Sequence, residues 1–212
     1  KGWKAHMKTL SHKYLAEHIA GQYLRGFSPL EKNAYIYGAV APDVNKVTYL
    51  HGWKGNKKFF GHNYENSSRT MDHLIKKLER STPGGWVYFY RLGKLTHYIA
   101  DSFTHVHNGY FTGSLAEHVQ YESALHKSLL EQIPFQKMVL STFDVRLLHE
   151  HHDAYADLYP SVEVDLLYIS SMVLAATLCY ADRPQYVGRI LWDLPTWSVH
   201  RLPRFYRQFT TF

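Results

Sequence analysis

The chain reads as an all-α protein, a single-domain bundle of about seven or eight helices over residues 1–212. Three observations lead there. Apolar residues recur at three- and four-residue spacing along nearly every segment. No Asn-Gly turn joins two alternating stretches, so hairpins have no signal. Proline and glycine cluster between the periodic segments rather than within strands. With 45% apolar and 16% aromatic residues, 212 residues are enough to bury a sizeable core.

Taken in order, Ser11 is expected to cap a first helix from His12 to Leu24, with Leu15 and Ile19 inward and His12 in its first turn. Ser28-Pro29 is a cap followed by proline at the first helical position, and this helix should end near Ala41-Pro42-Asp43. Asp43 then opens a long loop to about His62, a length that in compact domains accompanies function. Ser67 to Arg80 is amphipathic, with Met71, Leu74, Ile75 and Leu78 on one face, and Pro83-Gly84-Gly85 breaks it. A helix starting near Trp86 should run to Asn108-Gly109, a good C-cap pair. The next spans about Leu115 to Ile133 before Pro134; residues 135 to 158 are helical in parts. Ser161 starts a helix ending near Ala181, whose most apolar stretch, Leu166 to Ala181, is too short and too hydroxyl-rich for a comfortable membrane span and is read as a buried core helix. A last helix is expected from Gln185 to Asp193, before an irregular tail with Pro195 and Pro203.

The chemistry is concentrated in two pairs. His97 and Asp101 stand four residues apart, so a helix projects both from one face; His118 and Glu122 repeat the spacing. Imidazole nitrogen with carboxylate oxygen suits a divalent ion, zinc above all. Fifteen histidines reinforce that bias, while a single cysteine, Cys179, excludes a disulfide framework and a thiolate-rich zinc site. Cys179 is expected in the core. On a continuous helix His105, not His107, would share the face of His97 and Asp101; His107 qualifies if the helix unwinds before it. The run His149-Glu150-His151-His152-Asp153 is expected to be a solvated polar face, and His18, His73, His126 and His200 to be structural.

These segments resemble the zinc-dependent phospholipase C family, whose all-helical fold is shared with S1/P1 nucleases. The family's His-x-x-x-Asp, a His six residues on, and a His-x-x-x-Glu correspond to His97, Asp101, His107, His118 and Glu122. Ser11-His12 resembles its N-terminal histidine, Asp43 and Gly61-His62-Asn63-Tyr64 its Asp and His-aromatic ligands, and Tyr186 to Trp192 its closing helix. The resemblance implies two or three Zn2+ per chain. One would take Asp43, His62 and His97; Asp101 would bridge to a second holding His12 and Trp3; the third would take His107, His118 and Glu122. Trp3 follows Lys1 and Gly2 here, and Thr104-His105-Val106 stands where the family has a proline. His51 and His105 are the rival ligands.

Two cations about 4 Å apart polarise a phosphoryl oxygen and generate hydroxide near neutral pH. The expected activity is therefore phosphodiester hydrolysis by metal-bound hydroxide, with Asp43 as ligand and base at once. Phospholipase C-type cleavage of a phospholipid is preferred; a single-strand nuclease of the S1/P1 kind and a metal-stabilised non-catalytic binding protein are the alternatives. The net charge of +6 suits anionic partners and peripheral contact with a membrane surface, with nucleic acid as partner only under the nuclease reading. The N-terminal residues show no signal-peptide pattern, and localisation is left open.

Overall fold

Helix starts follow side-chain chemistry where the sequence supplies it. In the computed structural model, residues 6–45, 64–132, 143 and 145–181 are described. They form seven α-helices and no strand: α1 (His6–Tyr23), α2 (Pro29–Val44), α3 (Tyr64–Glu79), α4 (Gly85–Ser102), α5 (Leu115–Gln132), α6 (Val145–Ala156) and α7 (Val162–Tyr180). A 3-10 turn, His105–His107, lies between α4 and α5. Trp3, His51, His62 and the helix expected over 185–193 lie outside the described residues.

Ser28 caps α2 reciprocally with Glu31: the Glu31 amide donates to Ser28 Oγ at 3.3 Å, and the Ser28 amide donates to Glu31 Oε2 at 2.9 Å. Glu31 Oε1 also accepts the Gly85 amide at 2.9 Å, so one carboxylate closes the starts of α2 and α4. That amide, first among the causes, holds the Glu31 carboxyl below its ordinary range. Ser114 with Glu117 repeats the device ahead of α5, and Ser161 accepts the Val164 amide at the start of α7. Gly84 and Gly85 turn the chain from α3 into α4 at φ 129° and 75°, where a side chain would be strained.

α2 and α4 run side by side in the same direction: Glu31 meets Gly85, Tyr35 meets Gly93, and Ala39 meets His97. Their backbones touch because two glycines face the partner helix. A Cβ on Gly38 would lie 2.2 Å from the Tyr90 carbonyl oxygen, and one on Gly93 only 2.0 Å from the Tyr35 carbonyl oxygen.

α7 is the central element. Its residues Leu166, Tyr168, Met172 and Ala176 are fully buried, and its Thr177 hydroxyl pairs with the Tyr35 hydroxyl at 2.9 Å. This helix is long and apolar enough to cross a membrane, yet 78% of its apolar window is covered by the rest of the protein. The last turn carries one correction: Cys179 is exposed, not core, with Sγ 3.4 Å from the Phe143 carbonyl oxygen.

The N-terminal region departs from expectation as well. α1 starts at His6, so Ser11 lies inside the helix and caps nothing; its hydroxyl meets His126 Nδ1 at 2.8 Å. His12 is consequently a buried mid-helix residue. The metal-ligand helix also ends earlier than the Asn108-Gly109 signal suggested, at Ser102.

The histidine run on α6 is not a solvated face. His151 and His152 are buried, and only Glu150 and Asp153 face solvent. His149 Nε2 donates to Asp72 Oδ1 at 3.1 Å while Nδ1 accepts from the Tyr64 hydroxyl at 2.5 Å, joining α6 to α3. His152 stacks on Tyr64 with ring centroids 3.4 Å apart and donates from Nε2 to Asn108 Oδ1 at 3.0 Å. Period-3.6 patterning scores histidine as polar, whereas imidazole packs as a flat aromatic once its nitrogens find partners.

Gly93→Ala forces α2 and α4 apart and should cost about 1–3 kcal/mol in urea unfolding. Gly21→Ala, an exposed position with open space around its Cβ, should leave stability unchanged or raise it by about 0.5–1 kcal/mol. Burial holds the His152 imidazole down at about 4, whereas the unfolded chain titrates near 6.5. The unfolded state therefore takes up this proton first, and stability is lost as pH falls from 6.5 towards 4, by at most about 3 kcal/mol. His152→Gln should flatten the pH dependence of the urea midpoint across that window.

Candidate metal centre

Five elements converge at one end of the bundle. α1 contributes His12, α2 Asp43, α4 His97 and Asp101, the 3-10 turn His107, and α5 His118 and Glu122. The α2–α4 contact sets the first part. His97 Nδ1 lies 2.8 Å from the Ala39 carbonyl oxygen, which only accepts, so Nδ1 carries the proton. Nε2 is thereby turned towards two carboxylates, 3.2 Å from Asp101 Oδ2 and 3.8 Å from Asp43 Oδ1. Asp43 Oδ2 accepts from the Thr9 hydroxyl at 3.2 Å, and Oδ1 accepts no hydrogen bond among the described residues.

Asp101 is the centre of the cluster. It is fully buried, with Oδ1 3.3 Å from His12 Nε2 and 2.9 Å from His107 Nδ1, while Oδ2 faces His97. The His12 and His97 rings lie 3.9 Å apart between centroids. Burial first, and the nearby His97 ring second, hold the His12 imidazole below its ordinary value. That favours the neutral ring, the form able to offer a nitrogen lone pair to a cation.

His107 leaves the α4 axis because the helix ends at Ser102 and the chain passes through the 3-10 turn. With Nδ1 at Asp101, its Nε2 stands 2.8 Å from Glu122 Oε1, and His118 Nε2 stands 3.2 Å from the same oxygen. His105, the rival by ideal helix geometry, packs beside Tyr110, Phe111 and Tyr121 instead.

The result is two groups of potential ligands, His12 with His97 and Asp101, and His107 with His118 and Glu122. Within each group one ligand atom per residue lies within 4.8 Å of the others. The donor set fits zinc. With Nδ1 of His97 committed to a carbonyl, the unprotonated Nε2 would point its lone pair at two carboxylates. Such an arrangement is repulsive until a cation, or a proton, lies between them. The Ala39 carbonyl behind His97 is the kind of partner that orients a ligating imidazole. Neither Thr9 nor the Ala39 carbonyl was singled out from sequence, because a threonine and a main-chain oxygen carry no motif. Between the groups lies a cavity of about 40 Å³, with His12, Asp101, His107 and Glu122 on its polar side and Leu15, Leu125, Leu129 and Ile169 opposite.

Comparison with known proteins agrees with this geometry. The family model described as zinc-dependent phospholipase C matches residues 11–169. The chain belongs to the zinc-dependent phospholipase C family. No curated protein and no solved structure matches it. The matched segment contains every residue of both groups. Family membership supports a metal-dependent, phospholipase C-like hydrolysis and Zn2+ as the ion.

Adding zinc to chelator-treated protein should relieve the repulsion between the buried acceptors. Saturating zinc is expected to raise the calorimetric Tm by about 5–10 °C. An unchanged Tm would count against a cation at these acceptors.

Proposed function

We propose that this zinc-dependent phospholipase C family member cleaves a phospholipid at the bond between its diacylglycerol oxygen and the phosphate. The observation that carries the reading is the position of Asp101. It lies between His97 and His12, so a single carboxylate can reach the ligands of two ions, and it stands beside His107. We assign one zinc to Asp43 and His97, with His62 as the family ligand outside the described residues, and Asp101 shared with a second at His12. Trp3, also outside the described residues, is carried by resemblance alone as a further ligand of that second zinc. The third would take His107, His118 and Glu122. When bound, the ions polarise the phosphoryl oxygens and lower the pKa of water.

The chain's own groups have separable tasks. Thr9 holds Asp43 Oδ2, which leaves Oδ1 to accept a proton from the attacking water. The Ala39 carbonyl fixes the His97 tautomer, and Asp101 stands beside His107 with Oδ1 2.9 Å from Nδ1. The wall of Leu15, Leu125, Leu129 and Ile169 keeps water from the leaving-group side. Among the described residues that line the cavity, the apolar ones are aliphatic, which supports an acylglycerol beside the phosphate over a base that would stack on aromatic rings. The net charge of +6 supports an anionic lipid surface as the peripheral partner.

The test is one zinc-loaded preparation assayed against a mixed-chain phosphatidyl ester, single-stranded DNA and a phosphomonoester. Release of diacylglycerol and a phosphorylated headgroup is expected, and Asp43→Asn should lower kcat by about 10²- to 10⁴-fold. Cleavage of DNA with no diacylglycerol released would favour the nuclease; inertness towards all three with zinc bound would favour a binding protein.

A further inference from the structure

Asp165 lies in the first turn of α7, outside both ligand groups, and is fully buried. A buried carboxylate is costly unless hydrogen bonds surround it, and this one has three. Its Oδ2 accepts the His105 amide at 2.7 Å and the Tyr121 hydroxyl at 3.0 Å; its Oδ1 accepts the Tyr155 hydroxyl at 2.6 Å. The partners come from different elements. His105 opens the 3-10 turn that carries His107; Tyr121 sits on α5 between His118 and Glu122; Tyr155 belongs to α6.

The turn needs such a partner. A 3-10 turn of three residues leaves its first amide without an internal acceptor. Asn108 secures the other side, donating to the Ser102 and Thr104 carbonyls, but its side-chain bonds run to α4, the turn and His152 rather than to α5. One Asp165 oxygen instead joins the turn that presents His107 to the helix that presents His118 and Glu122. A hydrophobic core could fill this volume more cheaply than a carboxylate, but it could not fix direction at two elements at once.

Resting on the zinc assignment above, we propose that Asp165 is the positioning residue of the His107–His118–Glu122 site, setting the distance and angle between the 3-10 turn and α5. It touches no ion itself and acts through His105 and Tyr121. The three hydrogen bonds of Asp165 go to none of His12, His97 and Asp101, which stand on α1 and α4. Second-sphere groups that orient ligands are typically worth about 10- to 100-fold in metal affinity.

Zinc-loaded full-length protein, titrated with a chromogenic chelator, separates sites by affinity, and His118→Ala identifies the class belonging to the α5 ligands. Asp165→Asn is expected to weaken that class about 10- to 100-fold, with the other zinc affinities changed less and an altered cobalt absorption band after exchange. Tyr121→Phe should weaken the same class by a smaller factor, and Tyr155→Phe, whose bond reaches α6, should leave it within about threefold. Tyr121→Phe keeps the proposal falsifiable if Asp165→Asn does not fold. Unchanged affinity of the His118-dependent class in Tyr121→Phe and in any folded Asp165→Asn would overturn the proposal, as would equal weakening of every class. A wild-type protein with no His118-dependent class would instead overturn the zinc assignment beneath it. The two failures therefore appear in different samples.

Discussion

The backbones of α2 and α4 touch where Gly38 faces Tyr90 and Gly93 faces Tyr35, and the candidate ligands Asp43, His97 and Asp101 stand on those two helices. At this separation the Ala39 carbonyl reaches His97 Nδ1, and Asp43 on the same helix comes to 3.8 Å from Nε2. Glu31 closes both helices at their starts, so the pair is fixed at one end by a shared carboxylate and at the other by a shared site. Alanine in place of either glycine would push the carbonyl and the carboxylate away from the imidazole together.

Around this pair the protein places charge where a folded core disfavours it. Asp101 and Asp165 are both fully buried, but they are treated differently. Asp165 is surrounded by an amide and two hydroxyls, all donors, though burial still pushes its carboxyl up to about 7. Asp101 and Asp43 face imidazole nitrogens that are themselves potential ligands, an arrangement that suits a cation between them. The first arrangement fixes geometry; the second suits a bound cation.

Much of the fold was legible in the sequence because helix caps and apolar periodicity are local. Ser28-Pro29, Pro83-Gly84-Gly85 and Ser161 mark α2, α4 and α7 within a few residues of their observed starts. Ser11 misled because the helical pattern after a serine makes it look like a cap, yet helical residues from His6 also precede it here. Cys179 and the His151-His152 pair misled for a shared reason. Their environments depend on neighbouring helices: α6 meets Tyr64 and Asn108, while Cys179 points outward from the last turn of α7.

The candidate site divides along the same line. Sequence alone determined that His97 with Asp101, and His118 with Glu122, share helix faces, because four residues always make about one turn. It also determined the zinc chemistry those side chains offer. Which histidine joins them is not set by helix spacing: the family resemblance names His107, and tertiary structure shows how it gets there. Ideal helix geometry favours His105, but α4 stops at Ser102 and a turn bonded to Asp165 and Asn108 swings His107 towards Glu122 instead. The approach of Asp43 to His97 Nε2 is likewise tertiary, since it requires α2 and α4 to meet. Spacing along a chain fixes which groups share a helix; packing between helices fixes which groups share a metal.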